Sequence, residues 1–153
     1  MNLKERVTED LKNAMKQGDK VKVETLRFIK KELLEKETVQ KRTVQGELTP
    51  EEEIEALVAM VKRRKDSIEQ FKNSGRADLA ESELKELVIV ESYLPTQMTE
   101  DEVKTYLLDV IAKMGVTSQK EAGKVMGFAM KELKGKTEGT IVQKILKELL
   151  PAV

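Results

Sequence analysis

Three times in this chain a hydroxyl residue stands three positions before a glutamate at the head of an amphipathic stretch: Thr49 with Glu52, Thr99 with Glu102, and Ser118 with Glu121. In such a pair the hydroxyl accepts from the glutamate's backbone N–H, and the carboxylate accepts from the backbone N–H of the hydroxyl residue. Two donors that a helix start would leave orphaned are thereby satisfied. Each pair predicts a helix N-terminus. Pro50 strengthens the first, because its fixed φ suits the first helical position. Met98 and Val103 flank the second at the spacing of a hydrophobic staple. Composition agrees with a helical chain. Apolar residues make up 39% and charged residues 37%, and only five aromatic side chains occur, namely Phe28, Phe71, Tyr93, Tyr106 and Phe128. A core of Leu, Ile, Val, Met and Ala suits helix-on-helix packing.

Periodicity and stop signals complete the expectation of an all-α fold of seven helices. The first runs from Leu3 to Gln17 and stops at Gly18; Asp19 caps the second, which reaches about Lys36 or slightly beyond. The stretch Thr43 to Leu48 reads as a loop. The third helix reaches Asn73 before Gly75, and the fourth covers about Arg76 to Tyr93, closed by Pro95. The fifth ends at Gly115, the sixth starts at the Ser118 pair and ends at Gly135, and the last spans about Glu138 to Leu150. The boundary falls after Pro95, which gives a four-helix N-terminal lobe, 1–95, and a small three-helix C-terminal lobe, 96–153.

Cysteine and histidine are both absent. Disulfides, thiolate chemistry, the usual neutral-pH general base and ordinary zinc sites are therefore excluded. No cofactor and no metal site is expected. The N-terminus MNLKERVTEDLKNAMK lacks the apolar run of a signal peptide, and no segment approaches a membrane span, so the expected location is cytoplasmic. Net charge is zero, yet Lys113 to Lys147 holds eight basic residues against Glu121, Glu132 and Glu138. Such asymmetry suits a polyanionic partner.

That basic stretch centres on the sixth helix. At 100° per residue, Ala122, Val125, Met126, Ala129, Met130 and Leu133 share one face. Lys120, Gly123, Lys124, Gly127, Lys131 and Lys134 share the opposite one. Glycine inside a helix costs about 1 kcal/mol relative to alanine. A bare backbone among lysines lets a phosphate chain approach closely; alternatively, it admits a neighbouring helix and the lysines are a solvated rim. The loop Gly135, Lys136, Thr137, Glu138, Gly139 adds a lysine, a hydroxyl and the N-terminus of the last helix, a place that favours anions. It is not a P-loop, since Met130 occupies the first glycine position and a helix precedes it.

Elsewhere, Lys62, Arg63, Arg64 and Lys65 wrap around the circumference of the third helix, and Arg64 falls on its apolar side. Glu83 and Glu86 lie beside the apolar stripe of the fourth. Ion pairs of Arg64 or Arg76 with Glu83 or Glu86 are expected to join these helices. A carboxylate pair for acid–base work or Mg²⁺ has no partner residues to support it. Arg27, Lys30 and Lys31 read as solvated faces. With so few rings, most needed for packing, an RNA ligand should be structured and contacted through its backbone rather than by base stacking.

The segment RRKDSIEQFKNSGRADLAESELKELVIVESYLPTQMTEDEV, followed by KEAGKVMGFAMKELKGKTEG, resembles the YqeY family, also called GatB/YqeY-domain proteins. The likeness covers essentially the whole chain, including TLRFIKKEL in the second helix. The resemblance implies two helical lobes, similar to the C-terminal helical and tail region of GatB, the tRNA-binding subunit of the glutamine-dependent amidotransferase. It implies an accessory tRNA-binding role, at the outer corner of tRNA, beside an amidotransferase or an aminoacyl-tRNA synthetase. It also carries a carbon–nitrogen ligase label with glutamine as amido donor, although the catalytic cradle of GatB and a glutaminase nucleophile are not found in this chain. The positions that carry over as RNA-facing are Lys120, Gly123, Lys124, Gly127, Lys131, Lys134, Gly135, Lys136 and Gly139. The competing expectation is a helical protein–protein adaptor with no RNA ligand.

Overall fold

Helix-end signals in the sequence become hydrogen bonds in the computed structural model, which describes residues 1–39 and 46–152. Asn2 caps α1 (Leu3–Gln17) with a reciprocal bond to Glu5, and Gly18 ends it at φ 69°. The Asp19 carboxylate accepts from the Lys22 N–H at the head of α2 (Lys20–Val39). Part of the loop expected from Thr43 to Leu48, namely Thr43 to Gln45, lies outside the described residues. The Thr49–Glu52 box opens α3 (Pro50–Asn73). The helix α4 (Ala77–Glu91) is shorter than its apolar pattern suggests. Tyr93 and Leu94 instead bond back three residues to the carbonyls of Val90 and Glu91, a tightened turn that accommodates Pro95.

The Thr99–Glu102 box opens α5 (Glu100–Met114), and Gly115 closes it. A 3-10 turn, Gln119–Glu121, leads into α6 (Ala122–Leu133), and α7 (Gly139–Leu149) completes the all-α fold. Among the described residues, no helix is long and apolar enough to cross a membrane.

The chain divides into two compact units, Met1–Leu94 and Pro95–Val153. In the first, α1 packs along α2 and α3 along α4, while α2 also contacts both α3 and α4. Val7, Leu26, Ile29, Leu33, Leu57, Met60, Leu87 and Val90 form its buried centre. The Tyr93 hydroxyl donates to Asp10 with the Arg6 guanidinium over its ring, which ties the end of this unit back to α1. In the second unit, α5 packs on α6 and α7 around Val103, Leu107, Val125, Ala129, Val142 and Leu146. Its aliphatic core leaves one whole side of α6 outward.

Candidate nucleic-acid interface

The start of α6 departs from the expected capping box. Ser118 is extended and its side chain makes no cap bond. A different residue fixes this corner. The Gln119 N–H donates to the Pro151 carbonyl at 2.9 Å, and its side-chain amide donates to the Lys147 and Leu150 carbonyls at 3.2 and 3.1 Å. These bonds satisfy carbonyls at the end of α7, and they turn the chain through a 3-10 turn rather than directly into an α-helix.

From there the sequence pattern orients the helix. Val125, Ala129 and Leu133 are buried against α5 and α7, with Ala122, Met126 and Met130 half-buried beside them. Gly123, Lys124, Gly127 and Lys131 are exposed on the far side, as is Lys120 in the preceding turn. A Cβ added to Gly123 or Gly127 would meet no atom within 4 Å. Among the described residues, therefore, no neighbouring helix uses the space these glycines leave.

The loop after α6 behaves differently. Gly135 adopts φ 81° and is buried, and its carbonyl accepts from the Gln97 amide at 2.6 Å. The N–H groups of Lys136 and Thr137 both donate to the Leu133 carbonyl, and the Lys136 carbonyl accepts from Met98 at 2.8 Å. These bonds hold the helix end, and the Thr137 residue is buried. Gly139 is half-buried, with the Met126 terminal methyl 3.6 Å from where its Cβ would be. Lys134 and Lys136 remain exposed. Of the nine positions carried over, Gly135 is buried and Gly139 half-buried, whereas the other seven lie at the surface.

Nearby carboxylates are mostly committed elsewhere. Glu132 accepts from the Tyr106 hydroxyl at 2.9 Å; burial, reinforced by that bond, pushes the phenol up to about 12. Glu100 pairs with Lys144 at 3.8 Å and Asp109 with Lys113 at 3.0 Å. Lys120, Lys124, Lys131 and Lys136 have no carboxylate partner among the described residues. One further residue joins this surface. Phe128, on the same exposed side, is 49% accessible. Phe28, Phe71, Tyr93 and Tyr106 pack against the two cores, as expected of most of the rings, and Phe128 is the exception.

In the first unit the expected ion pairs resolve in part. Arg64 is buried, lies 3.9 Å from the Glu86 carboxylate and stacks its guanidinium 4.5 Å over the Phe28 ring. Arg76 does not reach Glu83 or Glu86; it is exposed and pairs with Asp78, two residues away, at 3.5 Å. Proximity along the chain decides this, because Arg76 stands at the head of α4 whereas Glu83 and Glu86 lie two turns further on. Burial raises the Glu86 carboxyl above its ordinary value; Arg64 opposes this, and Glu83 and Glu24 add to it. Arg63 pairs with Glu32 at 3.3 Å, so the basic run of α3 is divided between core and surface. Among the described residues, no acidic cluster is arranged to hold a metal ion.

Residues 4–150 match the family described as Yqey-like protein. The chain belongs to the YqeY family. A curated relative, Altered inheritance of mitochondria protein 41, mitochondrial, from Pyrenophora tritici-repentis (strain Pt-1C-BFP), is 29% identical over 152 residues. The match covers 96% of this chain and 80% of the relative. The YqeY-family match takes in both units, so the α6 surface and the Arg64 cluster belong to one family architecture.

Proposed function

We propose that this YqeY-family protein is an accessory tRNA-binding protein whose C-terminal unit grips the outer corner of tRNA through backbone phosphates. The observation that carries this is the outward face of α6. Two helix-interior glycines there border open space, and Lys120, Lys124 and Lys131 beside them lack carboxylate partners among the described residues. Glycine at such positions costs helix stability and relieves no crowding within the chain. A bare helix backbone flanked by ammonium groups is suited to a phosphate chain lying close against it. A neutral chain with one basic face fits a shaped polyanion better than indiscriminate binding.

Such a protein acts in the cytoplasm beside the enzyme that handles the same tRNA, a glutamine-dependent amidotransferase or an aminoacyl-tRNA synthetase. The carbon–nitrogen ligase label then describes the system it serves. Mixing purified protein with total tRNA at low salt tests the proposal. A saturable complex is expected. Failure to bind, together with a stoichiometric protein partner that survives nuclease treatment, would replace it with the adaptor role.

A further inference from the structure

Across the exposed side of α6 the residues follow an order. At 100° per residue, Phe128 lies at one edge, Lys124 and Lys131 next to it, and Gly127 and Gly123 beyond them. Phe128 is four residues after Lys124 and three before Lys131, so both are its direct neighbours on the helix surface. Helical side chains lean toward the N-terminus, which carries the ring toward Lys124. On the other flank the Glu132 carboxylate accepts from the Tyr106 hydroxyl, while Lys124 and Lys131 have no carboxylate partner among the described residues.

The Phe128 ring is 49% exposed and lies outside the core of its unit, and what sets it apart from other exposed apolar side chains is its place beside Lys124 and Lys131. A purely phosphate-binding surface has no use for it. A nucleotide joins an anionic phosphate to a flat base, and the strip presents ammonium groups beside a flat ring in the same sense. We infer that Phe128 stacks on an unpaired nucleobase of the bound RNA while Lys124 and Lys131 hold the adjoining phosphates. This rests on the tRNA-binding proposal and sharpens it. The ligand is folded RNA with an accessible base, so a blunt duplex offers only the phosphate part of the contact.

The chain contains no tryptophan, which gives the test a clean probe. Affinity of the full-length protein for an unmodified tRNA transcript would be measured for wild type, Phe128→Ala, Phe128→Leu and Phe128→Trp. Loss of one stacked base should weaken binding by about 5- to 100-fold in both the Ala and Leu variants. The salt dependence should stay unchanged, because no phosphate contact is removed. Phe128→Trp should keep wild-type affinity, and its single indole should be quenched when tRNA binds. Ala and Leu variants that bind within twofold of wild type, or a tRNA-bound Trp variant without quenching, would overturn the stacking role and leave phosphate binding standing. If Leu retains affinity and only Ala loses it, an apolar contact replaces stacking and the inference falls. Wild type that does not bind at low salt would remove the tRNA-binding proposal and this inference together.

Discussion

Gly123 and Gly127 lie one turn apart on the exposed side of α6, and a Cβ on either would meet open space within 4 Å. Neither has the positive φ that would make glycine obligatory. Alanine at each position should therefore raise stability by about 0.5–1 kcal/mol, through helix propensity and a less flexible unfolded chain. The same methyl groups should weaken tRNA binding, since they occupy the space the phosphate chain would use. Urea unfolding beside tRNA titration of Gly123→Ala and Gly127→Ala checks both. Greater stability with unchanged binding would free these glycines from any role in the interface.

The helix caps should differ in weight. Thr49→Ala and Thr99→Ala each remove a hydroxyl that accepts from a helix N–H, and each should cost about 1 kcal/mol. Ser118→Ala removes no such bond and should stay within about 0.5 kcal/mol of wild type. Gln119→Ala, by contrast, releases two carbonyls at the end of α7 and should cost about 1 kcal/mol. Chemical denaturation of the four variants ranks them.

Much of the fold was legible because its signals are local. The Thr49 and Thr99 boxes and the stops at Gly18 and Gly115 each act within one helical turn, and each formed as expected. Ser118 carried the same signature and failed, because its corner is fixed by Gln119 contacts to residues about 30 positions away that no local pattern reveals. Arg76 went to Asp78 for a related reason: the nearer carboxylate wins over one two turns along. The lysine and glycine side of α6 followed from periodicity alone. Phe128 did not, because at the edge of an apolar stripe only the tertiary packing of α5 and α7 decides which side is covered.

The Arg64 cluster should matter for stability, and Arg76 should not. Arg64→Ala strips the counter-charge from Glu86 and the cation from the Phe28 ring, at a cost of about 2–3 kcal/mol. Arg76→Ala breaks only an exposed pair and should change stability by less than about 0.5 kcal/mol. Thermal or urea unfolding of the two variants separates them.

Glu86 gives the same cluster a pH signature. Its folded-state carboxyl is raised above the ordinary 4.5, so the folded protein holds the proton more tightly than the unfolded chain. The stability this contributes is fully present below the ordinary value and is lost as pH rises through the raised one. Glu86→Gln cannot ionise. Its stability relative to wild type should therefore improve as pH rises from the ordinary carboxyl value through the raised one, in urea unfolding followed across a pH series. A flat difference would show that Arg64 cancels the effect of burial, and one that moves the other way would show that Arg64 outweighs it; either contradicts a raised carboxyl.

The most direct measurement is the affinity for total tRNA across a salt series, for wild type and for a variant with Lys124 and Lys131 both changed to glutamate. Both lysines are exposed and unpaired among the described residues, so the variant should fold normally. Wild type should bind at low salt and lose affinity by about tenfold or more over a few-fold rise in salt, and the variant should bind far more weakly with a shallower slope. Tight binding that ignores salt, or that survives both substitutions, would contradict a phosphate grip by α6.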